Sequence, residues 1–343
     1  MSGSRKRRQV ASKLGGLPRI LRASVSPHSK TVNWELQLVD NIHPLSDPID
    51  ASTADIGFLL VGHGTRKSSG QDQFRTVYQQ FKGFMAPWPT ELAFLELAEP
   101  DIPAGIANLA AKGVKRLVTV PVLLFTAGHA IEDIPNAVKE ACAGPQITPL
   151  LQTGAFESAE PLLRLSQLRF QQAACTPSCR PAAAGEALNF SGDSDPPQKS
   201  GPSPECLSCV RSDPGLFCDS TALLMIGRGS NSESATAKMR EFTANRRVLT
   251  PVAWSETAFI HAQSPSVDEG LDRLESAPQR LKVVQPHLLF DGLLMDQLRR
   301  QIAERSARDP RNKWVLTDVL GTDEELARTL ATLAKSAALA HQP

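Results

Sequence analysis

The chain has 343 residues, 41% of them hydrophobic and 21% charged, with a formal net charge of +1 at pH 7. That length allows two ordinary domains with cores of their own, and the composition is that of a soluble globular protein. A near-neutral balance offers no global reason for nucleic acid or a membrane surface as partner. No apolar run approaches the roughly 18 residues of a spanning helix.

In chain order, residues 1–53 come first: basic, without an acid before Glu35, then Pro-, Asp- and Ser-rich. The segment lacks the apolar centre of a signal peptide. It reads as a disordered basic arm, with an organelle transit peptide as the alternative. The cytoplasm is the expected compartment, because six cysteines in a chain of this size are not a secreted disulfide framework.

Residues 54–172 alternate short apolar runs with stretches of helical spacing. IGFLLVG (56–62), LAFLEL (92–97), RLVTVPVLL (116–124) and ITPLLQ (147–152) predict strands. QDQFRTVYQQFKGFM (71–85), IPAGIANLAAKG (102–113) and IEDIPNAVKEACAG (131–144) predict helices ending at Gly or Pro. This alternation predicts an α/β fold with an open parallel sheet flanked by helices.

Residues 173–219 lose all periodicity and are rich in Pro, Ser and Cys, which is linker chemistry. The pattern resumes over 220–343 as an internal repeat. Adding 165 carries Gly62-His63-Gly64 to Gly227-Arg228-Gly229, Phe94 to Phe259, Pro100 to Pro265, Gly105 to Gly270 and Pro121 to Pro286. One register held this long predicts two tandem flavodoxin-like domains, 54–172 and 220–343, with a cleft between them.

In an open parallel sheet, ligands bind beyond the carboxyl ends of the strands. His63 follows the first strand, Glu96 ends the second, and His129 follows the third. Two imidazoles and a carboxylate at one sheet edge suit a divalent-metal or proton-transfer site. Singly, each has a structural alternative: a turn residue, a compensated buried acid, a helix cap. Glu96 lies inside AFLELA, where a carboxylate is costly to bury unless a proton, cation or hydrogen bond compensates it.

LLVGHGTRKSSGQDQF, FLELAEPDIPAGI and VPVLLFTAGHAIEDIP together resemble the three signature stretches of the CbiX/SirB sirohydrochlorin chelatases. The resemblance covers roughly residues 56–152, with the later half like the diverged second copy of the family's long members. It implies a chelatase-like fold and insertion of Co²⁺ or Fe²⁺ into sirohydrochlorin without ATP, on the routes to cobalamin or siroheme. It implies His63 and His129 as metal-site histidines and Glu96 as their acidic partner. Glu132 stands where some members have a further histidine.

Metal insertion releases two pyrrole protons, and a neutral imidazole can both hold a first-row ion and accept a proton. The substrate is a polycarboxylate, so Arg66, at the start of a helix, is an expected contact, whereas Lys67 is expected to be solvated. In the second copy Arg228 replaces His63 and His261 replaces Glu96. Arg228 suits a carboxylate, and His261 is either a substrate contact or a structural histidine. His287, in the place of Val122, is expected to pack within its domain.

Cys175, Cys179, Cys206 and Cys209 either lie in a disordered linker or hold zinc or an iron–sulfur cluster. The reading is a monomeric lyase with one catalytic half, partnered by neither nucleic acid nor membrane. The alternatives are a non-catalytic metal or tetrapyrrole carrier, or a chelatase for nickel or another tetrapyrrole.

Overall fold

The computed structural model describes residues 55–126, 132–174, 221–250 and 252–339, together with the backbone of 19–25 and 32–38. The chain divides into two compact units, the smaller comprising Met1–Pro48 with Ala187–Gln198. In that unit β1 (Arg19–Val25) pairs antiparallel with β2 (Val32–Leu38). The segment expected as a disordered arm therefore contains a hairpin. VNWELQL alternates apolar and polar residues, a strand period that basic composition obscures.

The larger unit holds both repeats. The first has strands β3 (Ile56–Gly62), β4 (Thr90–Phe94), β5 (Arg116–Pro121) and β6 (Thr148–Gln152). Its helices are α1 (Ser68–Met85), α2 (Ile102–Ala111), α3 (Asp133–Ala143) and α4 (Glu160–Ala174). The second has β7 (Thr221–Gly227), β8 (Trp254–Phe259), β9 (Leu281–Pro286) and β10 (Lys313–Leu316). Its helices are α5 (Glu233–Leu249), α6 (Val267–Ser276), α7 (Leu293–Arg308) and α8 (Glu324–Leu339).

Each sheet is parallel, in the order second, first, third, fourth: β4-β3-β5-β6 and β8-β7-β9-β10. A right-handed crossover rule places helices on both faces of such a sheet, so the first strand of each repeat must be buried on both faces. Both are fully buried, IGFLLVG in β3 and TALLMIG in β7.

Their alternating faces go to different cores. Ile56, Phe58 and Leu60 point one way, and Leu59 and Val61 pack the other way with Ile102, Ile106 and Val138 of α2 and α3. In β7, Leu223 and Met225 join the first core, while Leu224 and Ile226 pack with Val267, Leu271 and Leu298 of α6 and α7. The inner faces of both sheets thus contribute to one core, which also takes Phe74 and Phe81 of α1, Phe170 of α4, Phe242 of α5 and Leu330 of α8.

The last helix of each repeat reaches across to the other. From α4, Ser166 accepts from Gln285 Nε2 of β9 through its carbonyl (2.6 Å) and hydroxyl (3.1 Å). Arg169 of α4 donates to the carbonyls of Val319 (3.0 Å) and Leu320 (2.6 Å). In return, Gln80 of α1 donates to Thr322 O (3.1 Å) beside α8, and Arg328 of α8 lies over Phe84, 4.6 Å from its ring centre. The two halves expected as separate domains therefore share a core and complete each other's surface. Periodicity locates each repeat but is blind to which helix covers which sheet.

The repeat is kept in detail. Arg75 donates to Glu99 O (2.8 Å) from above Phe94, and Arg240 donates to Ser264 O (2.9 Å) from above Phe259. Among the described residues no helix is long and apolar enough to cross a membrane.

Gln285 is 1% exposed, so replacing it with leucine strands a buried bond between the repeats. Gln285→Leu is expected to lower stability by about 1–3 kcal/mol in denaturant unfolding, through one transition. Two separable transitions would show that the repeats fold independently.

Candidate active site

The carboxyl ends of both sheets open on one cleft of about 730 Å³, lined by residues of both repeats. On the first wall the backbone ladder continues past the strand ends. Leu95 N donates to Gly62 O (2.8 Å) and Glu96 N to His63 O (3.1 Å). This brings the two loops so close that a Cβ on Gly64 would sit 1.7 Å from Glu96 O, and Gly64 has φ +98°. Only glycine fits both the space and the conformation.

That contact fixes the two side chains beside it. His63 Nδ1 lies 3.4 Å from Glu96 Oε1, with the imidazole 19% and the carboxylate 50% exposed. Glu96 avoids the cost of burial, because β4 ends at Phe94 and the chain turns outward after it. A carboxylate beside Nδ1 orients the ring and favours the tautomer whose Nε2 lone pair is available to a metal or proton. His129 and the cysteines Cys175, Cys179, Cys206 and Cys209 lie outside the described residues. Among the described residues no three His, Cys, Asp or Glu side chains cluster as a metal site. Glu132, exposed directly before α3, does not line the cleft.

The second wall repeats the backbone and changes the chemistry. Ile260 N donates to Gly227 O (3.0 Å) and His261 N to Arg228 O (3.0 Å). Gly229 has φ +83°, and a Cβ there would meet His261 O at 1.9 Å. Arg228 and His261 are exposed and line the cleft, as does exposed Arg66 of the first wall. Apolar side chains fill the floor. Phe74 packs against Phe94 and Phe290 with ring centres 5.0 and 5.9 Å apart. Leu97 (46% exposed) and Leu293 (66%) are exposed apolar residues of the two walls.

The two walls are tied by contacts between residues far apart in the chain. Lys67, expected to be solvated, donates to both carboxylate oxygens of Asp296 (2.7 and 2.9 Å) and pairs with Asp291 (3.0 Å). Ser69 Oγ donates to the Asp291 carboxylate (3.1 Å), and Asp291 N donates to Gln73 Oε1 (2.7 Å). The turn before α7 thus seats on the first turn of α1, where a Cβ on Gly70 would meet Asp291 O at 2.3 Å. The DG turn and the small residue at Gly70 carry a signal of close approach, but the sequence does not name the partner. Opposite, Lys238 of α5 pairs with Glu157 Oε1 (2.8 Å), which also accepts from Thr126 N (3.1 Å) and Oγ1 (2.7 Å).

The CbiX family model matches residues 57–168 and 222–337, one segment in each repeat. The chain belongs to the CbiX family. Among its relatives, the sirohydrochlorin cobaltochelatase of Priestia megaterium is 24% identical over 272 residues, covering 79% of this chain and 76% of that one. The sirohydrochlorin ferrochelatase of Bacillus subtilis strain 168 is 24% identical over 255 residues, covering 74% and 81%. In fold, SirB from Bacillus subtilis with Fe³⁺ matches at a TM-score of 0.63 and 21% identity, over 83% of this chain and 96% of that one. SirB from Bacillus subtilis subspecies spizizenii in complex with cobalt matches at 0.61 and 20%, over 84% and 97%. The doubled parallel sheet of this CbiX-family chain is thus the duplicated α/β fold expected from its repeat and the chelatase fold implied by the resemblance.

Gly64→Ala adds left-handed strain to a backbone clash and is expected to cost about 2–4 kcal/mol, read by denaturant unfolding. The Lys67 cluster has a pH signature. For Asp296, the hydrogen bond from Lys67 is the main cause of a lowered pKa. For Asp291, burial raises the pKa, but bonds from Lys67 and Arg299 outweigh it and leave it lowered. Stability from such groups is present above the unfolded value of about 3.9 and is lost as pH falls through the lowered folded values. Asp296→Asn is therefore expected to lower Tm at pH 7, with the gap from wild type closing in strong acid.

Proposed function

We propose that this chain is a sirohydrochlorin chelatase, a lyase that inserts Co²⁺ or Fe²⁺ into the tetrapyrrole without ATP. The carrying observation is the asymmetry of the cleft. Both walls keep one backbone frame, but among the described residues only the first bears an imidazole with a carboxylate at 3.4 Å. In the family to which the chain belongs, relatives named as cobalto- and ferrochelatases of sirohydrochlorin cover most of it.

In this reading His63 Nε2 holds the incoming divalent ion, which is a substrate, and takes up a pyrrole proton as the macrocycle displaces it. Glu96 steadies the ring through Nδ1 and relays the proton towards solvent, to which it is half open. His129, by its place after the third strand, is the second imidazole. Two protons leave as one divalent ion enters, so two bases balance the exchange. Arg66, Arg228 and His261 at the rim take the substrate's carboxylates. Arginine suits this better than lysine because its fork pairs with a carboxylate through two bonds. Both walls come from one chain, which supports a working monomer.

Initial rates of metal insertion into sirohydrochlorin, followed by absorbance with Co²⁺, Fe²⁺ or Ni²⁺, test the reading. Acceleration above the uncatalysed reaction is expected with Co²⁺ or Fe²⁺. Binding without acceleration by any metal would make the protein a carrier. His63→Ala is expected to lower kcat by about 10²–10⁴-fold, the usual worth of a positioned acid–base group. Arg228→Ala, which removes a charged contact and no base, is expected to raise KM by roughly 10–100-fold.

A further inference from the structure

The two repeats differ at the floor of the cleft in a way that the fold does not require. Val122 and His287 hold equivalent places after the third strands, each with its N–H on the first strand: Val122 N to Val61 O and His287 N to Ile226 O, both 2.8 Å. Valine fills the place in the first repeat, so backbone and packing do not call for an imidazole in the second. Yet His287 is 1% exposed, and neither ring nitrogen has a hydrogen-bond partner. The ring lies on Phe242, centres 4.0 Å apart, and near Phe125 at 5.5 Å. Among the described residues no charged side chain contributes to its shift, and burial pushes its pKa down to about 3. It is a neutral ring with one N–H to give and one lone pair to receive.

An unpartnered buried polar group costs about 1–3 kcal/mol, and native proteins seldom keep one without a use. His287 lines the cleft, and so does partly exposed Phe125 beside it. The neighbouring floor residues Phe74, Phe94, Met239 and Phe259 have no N–H or O–H to offer. A frame repeated on two walls would accept a flat macrocycle in two related orientations, while the His63–Glu96 pair stands on one wall only. Orientation must come from residues that break the repeat.

Resting on the chelatase reading, we infer that His287 contacts the substrate, donating a hydrogen bond to one carboxylate arm at the cleft floor and so fixing which way round the macrocycle enters. The contact acts in binding and belongs to no proton-transfer step.

His287→Val installs the residue of the first repeat, and His287→Gln keeps a donor in similar space. The full chain with sirohydrochlorin as probe gives three readouts: thermal unfolding, quenching of substrate fluorescence, and KM with kcat for Co²⁺ insertion. His287→Val is expected to melt a few degrees higher without substrate, to bind about tenfold more weakly, and to show a KM raised to match with kcat within twofold. His287→Gln is expected to recover most of the affinity. A wild-type protein that binds no sirohydrochlorin overturns the chelatase reading and this inference together. With an active wild type, unchanged binding by His287→Val overturns the inference alone, as does a His287→Gln variant as weak as valine.

Discussion

A backbone carbonyl occupies the space where a side chain at residue 64 would begin. Because Gly64 has none, the loop after β3 presses against the loop after β4, and His63 and Glu96 are carried to within 3.4 Å of each other. The second repeat keeps the same contact between Gly229 and the His261 carbonyl, with the same extension of the ladder beyond the strands. The contact is geometric and indifferent to the flanking side chains. One repeat could therefore exchange histidine and glutamate for arginine and histidine without losing the frame.

The two frames become one cleft because the repeats do not fold as neighbours. Each lends its last helix to the other, α4 to β9 and the loop after β10, α8 to α1. The inner faces of both sheets share one core, and the Lys67–Asp291–Asp296 cluster ties the rim on one side. Such pairs are individually modest at a solvated rim, so the shared core carries the association. The cluster sets where the turn before α7 sits. Charged side chains stand at the rim, while the floor is mainly apolar, with Phe74, Phe94, Met239 and Phe259 around His287. This division suits a ligand with a flat apolar body and charged arms.

Much of this was legible in the chain. Short apolar runs and stretches of helical spacing located the main elements of the first repeat, and the offset of 165 made the second repeat its counterpart. Gly62-His63-Gly64 pointed to a tight turn at a strand end, and AFLELA brought Glu96 to the same edge. The apolar letters around Glu96 left its burial open, and because the strand stops at Phe94 the Glu96 carboxylate turns to solvent. The errors have physical causes. Lys67 looked solvated because its partners, Asp291 and Asp296, lie more than two hundred residues away. The hairpin of β1 and β2 was hidden under a basic composition, though VNWELQL alternates as a strand should.

The sequence by itself determined the parallel α/β repeat, the glycine turns and the types of side chain at the sheet edge, because these depend on local periodicity and backbone freedom. Only the tertiary structure decided that the two repeats share a core, that Lys67 is held by the opposite wall, and that His287 is buried at the floor without a partner. Each of these depends on which surfaces meet across the chain. That choice is made by shape and by burial of both faces at once, and no window of sequence contains both sides of such a contact.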